Sequence, residues 1–282
     1  MRQPSARPAA PSTLARGSLG VGYRAAHREA LLGEVLPAEI QHLEIITENF
    51  LGPAPAPRET LRRLAARLPI VLHGVGLNLL GAEPLDERYL DAVARLADEV
   101  DAPFVTDHLC WTGSAGHAHF DLLPFPYTDE ALELAAARAA HVQARLGRPF
   151  GLENVSSYVT FVESRMSEAE FTTRVVREAG CWLMFDVNNA VVSAHDHGGD
   201  PEEWLGLVDF SRVLQVHVAG HDRQADGLWV DTHDREASDE TRALYRAAWR
   251  AGGPFPTLFE WDERIPPLDV VVEQLRRLVE AR

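Results

Sequence analysis

Hydrophobic and polar positions alternate between two periods along the chain. Short runs rich in Val, Ile, Leu and Phe fall at 19–22, 42–48, 70–75, 103–109, 149–155, 181–188, 213–219 and 256–261. Such runs read as buried strands. Stretches with helical spacing separate them, at 24–36, 57–68, 85–100, 128–146, 167–179, 201–209, 238–251 and 267–281. Turn formers mark helix starts, as at Thr128-Asp129 and Ser238-Asp239, where a side-chain oxygen can satisfy the first free N–H groups. Strict alternation, at roughly thirty residues per unit, predicts an α/β fold: a single (β/α)8 TIM barrel over residues 19–282. A doubly wound sheet is the alternative, because alternation does not by itself require closure. The first eighteen residues, MRQPSARPAAPSTLARGS, have no periodicity and are expected to form a disordered tail.

A buried parallel strand is normally apolar throughout. Here the strands begin apolar and end polar. The second ends in Glu48-Asn49, the third in His73, the fourth in Asp107-His108 and the fifth in Glu153-Asn154. The sixth ends in Asp186 with Asn188-Asn189, the seventh in His217 and His221, the eighth in Glu260 and Asp262. In a barrel those C-terminal ends share one face, where active sites of the fold are built. Period two puts Glu153, Asp186 and Glu260 on the inward side of their strands.

Carboxylates gathered there without cations would be costly, and few basic residues lie near these strand ends in the sequence. Metal ions supply the missing charge most simply. Four carboxylates (Glu153, Asp186, Asp231, Glu260) and four histidines (His73, His108, His217, His233) exceed the needs of one ion. Carboxylates bridging two or three ions use them best, and Asp231-Thr232-His233 can clasp one ion from two sides. Without thiolate ligands the set suits Zn, Mn or Fe. Against this stands the reading of polar caps plus surface histidines, which fits His27, His42, His141 and the His117/His119 pair better than a ligand role does. His195 and His197, in the Gly-rich turn HDHGGD, fit either.

The bulk properties narrow the function further. A net charge of −15 argues against a nucleic-acid partner. There is no membrane-length apolar run and no signal-peptide h-region, so a cytoplasmic protein is expected. Cys110 and Cys181 sit in apolar strand-like runs and read as free buried thiols. P-loop, GxSxG and GxGxxG motifs are all missing.

At these residues the chain resembles a known family. LEIITENF, LHGVGLNL, TDHLCW, LLPFPYT, LENVSSY, FDVNN, VHVAGH, DTHD and FEWD resemble the signature blocks of the domain-of-unknown-function 692 family, over about 19–266. That family is related to xylose-isomerase-like TIM barrels. Its members are multinuclear non-haem iron oxidases that modify cysteines of ribosomally made peptides, as in methanobactin and 3-thiaglutamate biosynthesis. The resemblance implies two or three iron ions, mixed Fe2+/Fe3+, with O2 as co-substrate. It also implies a Cys-containing precursor peptide and a small leader-binding partner protein. A more distant similarity, to the trinuclear zinc barrels of the endonuclease IV family, orders the ligands as His73, His108, Glu153, Asp186, His217, Asp231-x-His233 and Glu260. Asn189 stands where that pattern has histidine. His221, Asn154 and Asn188 are expected to orient ligands. Glu153, Asp186 and Glu260 are the expected catalytic carboxylates. Two alternatives are a Zn- or Mn-dependent hydrolase or isomerase and a non-catalytic metal-dependent subunit.

Overall fold

A computed structural model describes residues 14–114 and 117–282. Eight parallel strands close into a barrel: β1 (Leu19–Gly22), β2 (His42–Ile46), β3 (Ile70–Gly74) and β4 (Val105–His108), then β5 (Phe150–Glu153), β6 (Trp182–Asp186), β7 (Val213–Val218) and β8 (Thr257–Phe259). Each strand pairs with its sequence neighbours, and β8 closes on β1 through Leu19↔Thr257 and Val21↔Phe259. Closure decides against the doubly wound sheet. It leaves the barrel without an edge strand and pairs each of its eight strands on both sides.

Nine α-helices among the described residues surround the barrel: α1 (Arg28–Leu32), α2 (Pro55–Ala65), α3 (Glu87–Glu99), α4 (Asp129–Leu146), α5 (Glu168–Ala179), α6 (Val187–His197), α7 (Glu203–Leu207), α8 (Asp239–Gly252) and α9 (Leu268–Glu280). The predicted caps at α4 and α8 are present: Thr128 accepts from the Ala131 N–H and Ser238 from the Thr241 N–H. Gly147 and Gly180 end α4 and α5 in the left-handed conformation, at φ 64° each, which glycine adopts without a Cβ penalty. Each long helix turns an apolar stripe to the strands, as Leu90, Val93, Leu96 and Ala97 of α3 do. Burying one such leucine or valine contributes about 1.5–3 kcal/mol.

Three local features depart from the periodicity. Residues 187–197 form α6, where a strand end and a Gly-rich turn were expected, so His195 and His197 stand on a helix. Asp186 explains the change, because its carboxylate accepts from the Asn189 N–H and starts the helix at the last strand residue. Two small antiparallel hairpins, Trp111–Ser114 with His117–Leu123 and Asp222–Arg223 with Trp229–Val230, extend the β4–α4 and β7–α8 connections. The expected helices at 24–36 and 201–209 are only five residues each.

Residues 1–13 of the expected tail, and the side chains of His117 and His119, lie outside the described residues. Chain contacts with the barrel begin before residue 19: the Ser18 carbonyl accepts from the Thr257 N–H and the Gly17 carbonyl from Arg282. No helix among the described residues is long and apolar enough to cross a membrane.

Candidate metal centre

His73, His108 and Glu153 come from three adjacent strands. Register places His73 of β3 beside Thr106 of β4, and His108 beside Glu153 of β5. The hydrogen bonds of the two rings fix their tautomers. His73 Nδ1 lies 2.9 Å from Thr106 Oγ1, whose own proton goes to the Leu72 carbonyl, so Nδ1 is the donor. His108 Nδ1 donates to the Gly74 carbonyl at 2.9 Å. Both Nε2 lone pairs therefore point into the barrel mouth, 3.3 Å from each other. Glu153 Oε2 lies 3.1 Å from each.

Three acceptors cannot converge in a buried site without a cation. In the metal-free protein a proton substitutes: burial acts against it, but the Glu153 and Glu44 carboxylates lift His73 to about 9. One proton serves only part of such a cluster, whereas a metal ion is bound by all three atoms.

The second cluster shares Glu153. Ligand atoms of Glu153, Asp186, His217 and Glu260 all lie within 4.8 Å of one another, and all four residues are buried. His217 Nδ1 is 3.1 Å from Glu260 Oε2 and 3.7 Å from Glu153 Oε1. Glu153 thus turns Oε2 to one cluster and Oε1 to the next. Asp186 Oδ1 accepts the Asn189 N–H, while Oδ2 is buried without a hydrogen-bond partner. Burial, with Glu153 and Asp231 nearby, holds the Asp186 carboxyl well above the usual range.

The third grouping centres on His233. Its Nε2 is 2.6 Å from Asp231 Oδ1. Its Nδ1 is 3.1 Å from Glu260 Oε2 and 3.5 Å from Asp262 Oδ2. His233 sits at φ 44°, an unusual region for a residue with a Cβ, costing on the order of 1–3 kcal/mol. It is held there by its N–H donating to the Gly220 carbonyl and its carbonyl accepting from the Asp262 N–H. Asn188 Nδ2 donates to Asp231 at 2.8 Å and Ser156 Oγ donates to it at 3.2 Å. Asn189 Nδ2 donates to the Asn154 carbonyl, which leaves its buried Oδ1 without a partner and free to ligate.

Four residues near the clusters were not among the expected ligands or orienting residues. Asp262 joins His233 and Glu260; its two-residue spacing from Glu260 was the available signal. Arg24, following β1, pairs with Asp262 and approaches Glu260 to 3.8 Å. It supplies one of the cations that the strand ends lack locally. Glu44 and Gln215 lie deeper, under His217. Glu44 falls in the apolar run HLEII, where a carboxylate inside the barrel breaks the alternation.

Two histidines expected at the surface are buried: His42 inside the barrel, where β2 must be wholly enclosed, and His27, whose Nε2 hydrogen-bonds the Pro266 carbonyl. His141 is exposed and pairs with Glu87. His195 stacks on Trp229 with ring centres 3.8 Å apart, and His197 hydrogen-bonds Ser157. Trp229 also stacks on His221, which reaches Asn188 through Nδ1 at 2.8 Å. Cys110 and Cys181 are free and buried.

The donor set is histidine nitrogen and carboxylate or amide oxygen, borderline to hard, in three overlapping groups. It fits a multinuclear centre of first-row metals.

Relatives and solved structures agree with this architecture. A protein of Rhizorhabdus wittichii named UPF0276 protein is 43% identical over 265 residues, 94% of this chain and 95% of its own. Among solved structures, an L-ribulose 3-epimerase superposes with a TM-score of 0.61 at 15% identity, covering 95% of this chain and 94% of its own. Endonuclease IV from Thermus thermophilus superposes with a TM-score of 0.58 at 16% identity, covering 94% and 100%. These structures share the fold, a closed (β/α)8 barrel. The model of the family described as "RiPP precursor modification enzyme MbnB/TglH/ChrH" matches residues 18–282. From Ser18 to its last residue, the chain belongs to this family of enzymes that modify precursors of ribosomally made peptides.

Proposed function

We propose that the centre binds two or three iron ions, mixed Fe2+/Fe3+, and uses dioxygen to modify a cysteine of a ribosomally made precursor peptide. A small leader-binding partner protein delivers that peptide. The observation carrying this reading is Glu153, whose two oxygens face two different clusters. His73, His108 and Glu153 would hold one ion. Glu153, Asp186, His217 and Glu260 would hold the second. Asp231, His233 and the Asn189 amide oxygen would hold the third, with Asp262 at the opposite nitrogen of His233.

Iron, when bound, supplies the redox chemistry with dioxygen that side chains lack. The protein's residues hold the site in place and keep it partly dry. Thr106 and the Gly74 carbonyl fix which nitrogen of His73 and His108 is presented. Asn188 and Ser156 hold Asp231 on the mouth side. The chain's own thiols do not compete for the centre: burial raises Cys110 well above its ordinary range and Cys181 to about 12, so both stay protonated. A reacting thiolate must therefore come from another molecule.

The test is incubation of the iron-loaded protein with its candidate precursor peptide, the partner and oxygen. A mass change on a peptide cysteine is expected. An unchanged peptide, with iron demonstrably bound, would remove the reading.

A further inference from the structure

Beneath the clusters, the barrel interior holds a polar chain that none of the proposed ligand roles explains. His42 Nε2 donates to Gln215 Oε1 at 3.1 Å. That bond orients the amide so that Gln215 Nε2 donates to Glu44 Oε2 at 2.6 Å. Glu44 also lies 3.1 Å from His217 Nε2, through both carboxylate oxygens. Gln215 and His217 are wholly buried and Glu44 is 3% exposed. Glu44 turns both carboxylate oxygens to His217 Nε2 and can only accept, which places the ring proton on Nε2 even with the Gln215 amide nitrogen 2.9 Å away, so His217 Nδ1 turns its lone pair toward the space between Glu153 and Glu260.

We propose that Glu44 is a positioning residue for the centre: from inside the barrel it fixes the tautomer and raises the donor strength of His217. A buried carboxylate on the far nitrogen of a ligating imidazole holds the ring and increases its basicity toward the metal. Among the described residues no arginine lies within ion-pair distance of Glu44, and Arg24 acts on it only through its charge. The chain His42–Gln215–Glu44–His217 thus runs from the barrel floor to the second cluster. It requires Gly20, because a Cβ there would overlap the His42 ring.

This role rests on the metal-centre reading, so its test uses a metal alone. Co2+ is titrated into metal-free full-length protein, with affinity and d–d absorption read for the wild type, Glu44→Gln and Glu44→Asp. Glu44→Gln keeps the shape and removes the charge. It is expected to weaken one class of Co2+ site by about 10–100-fold and to shift its absorption, with a smaller loss at the His73–His108 site, which Glu44 reaches only through its charge. Glu44→Asp, which keeps the charge, is expected to bind more tightly than Glu44→Gln. A packing role predicts the reverse order, because Glu44→Asp leaves the larger void.

Wild-type affinity and spectrum in Glu44→Gln, or weaker binding by Glu44→Asp than by Glu44→Gln, would overturn the assignment. Wild-type protein that takes up no Co2+ would remove the metal-centre reading itself, and Glu44's role with it. Thermal melts of the three metal-free proteins check that each is folded.

Discussion

The Nε2 atoms of His73 and His108 stand 3.3 Å apart with both lone pairs turned inward, because Thr106 and Gly74 take up the other nitrogen of each ring. Such an approach is stable only around a cation. The behaviour of the metal-free protein follows from which cation takes its place.

Without metal that cation is a proton on His73, whose pKa rises from 6.5 to about 9 despite burial, through Glu153 and Glu44. The rise corresponds to about 3 kcal/mol. It is fully present below pH 6.5 and is lost as pH rises through 9. Asp107 acts in the same direction. Burial, then Glu48, lifts it from 3.8 to about 8, so its ionisation weakens the fold over that range. The melting temperature of metal-free protein should therefore fall between pH 6.5 and 9. Metal affinity should rise over the same interval, because binding displaces the proton. Melts and metal titrations at several pH values check both; a metal-free melt that stays level or climbs contradicts the assignment.

Glu153→Ala is expected to lose more than one ion per chain, since one carboxylate serves two clusters. The remaining ligands should bind more than about 100-fold more weakly, as loss of a shared ligand exceeds the 10–100-fold typical of outer contacts. Metal analysis after desalting reads this directly, and retention of full metal content would exclude the bridging role.

Asn189→His replaces a neutral amide oxygen with a stronger nitrogen donor next to Asp186. It should tighten the third ion or raise the metal count. Unchanged stoichiometry and affinity would argue that the buried Asn189 oxygen is not a ligand.

Gly20→Ala drives a methyl into the His42 ring and should destabilise the protein by about 1–3 kcal/mol. Chemical denaturation measures it. A neutral effect would mean that the polar chain under the centre is looser than drawn.

The barrel was legible because its signals are local: each strand carries its own apolar run and a polar residue at its C-terminal end. His73, His108, Glu153, Asp186, His217 and Glu260 could be found by that rule alone, since one barrel face collects strand ends whatever the loops do. Helix α6 was not legible, because Asp186 both ends a strand and caps a helix, and the sequence does not mark a residue with two roles. Glu44 and His42 were hidden for another reason. An inward polar residue in mid-strand looks like a break in the pattern until Gln215 and His217, some 170 positions away, are brought against it. Asp262 was visible at a strand end, yet its link to His233 depends on the left-handed turn at that histidine.

The most direct test of the central claim is the metal content of the protein purified without oxygen. Two or three iron ions per chain are predicted, with the two that share Glu153 lost together from Glu153→Ala. Zinc alone, with no iron present, would contradict it.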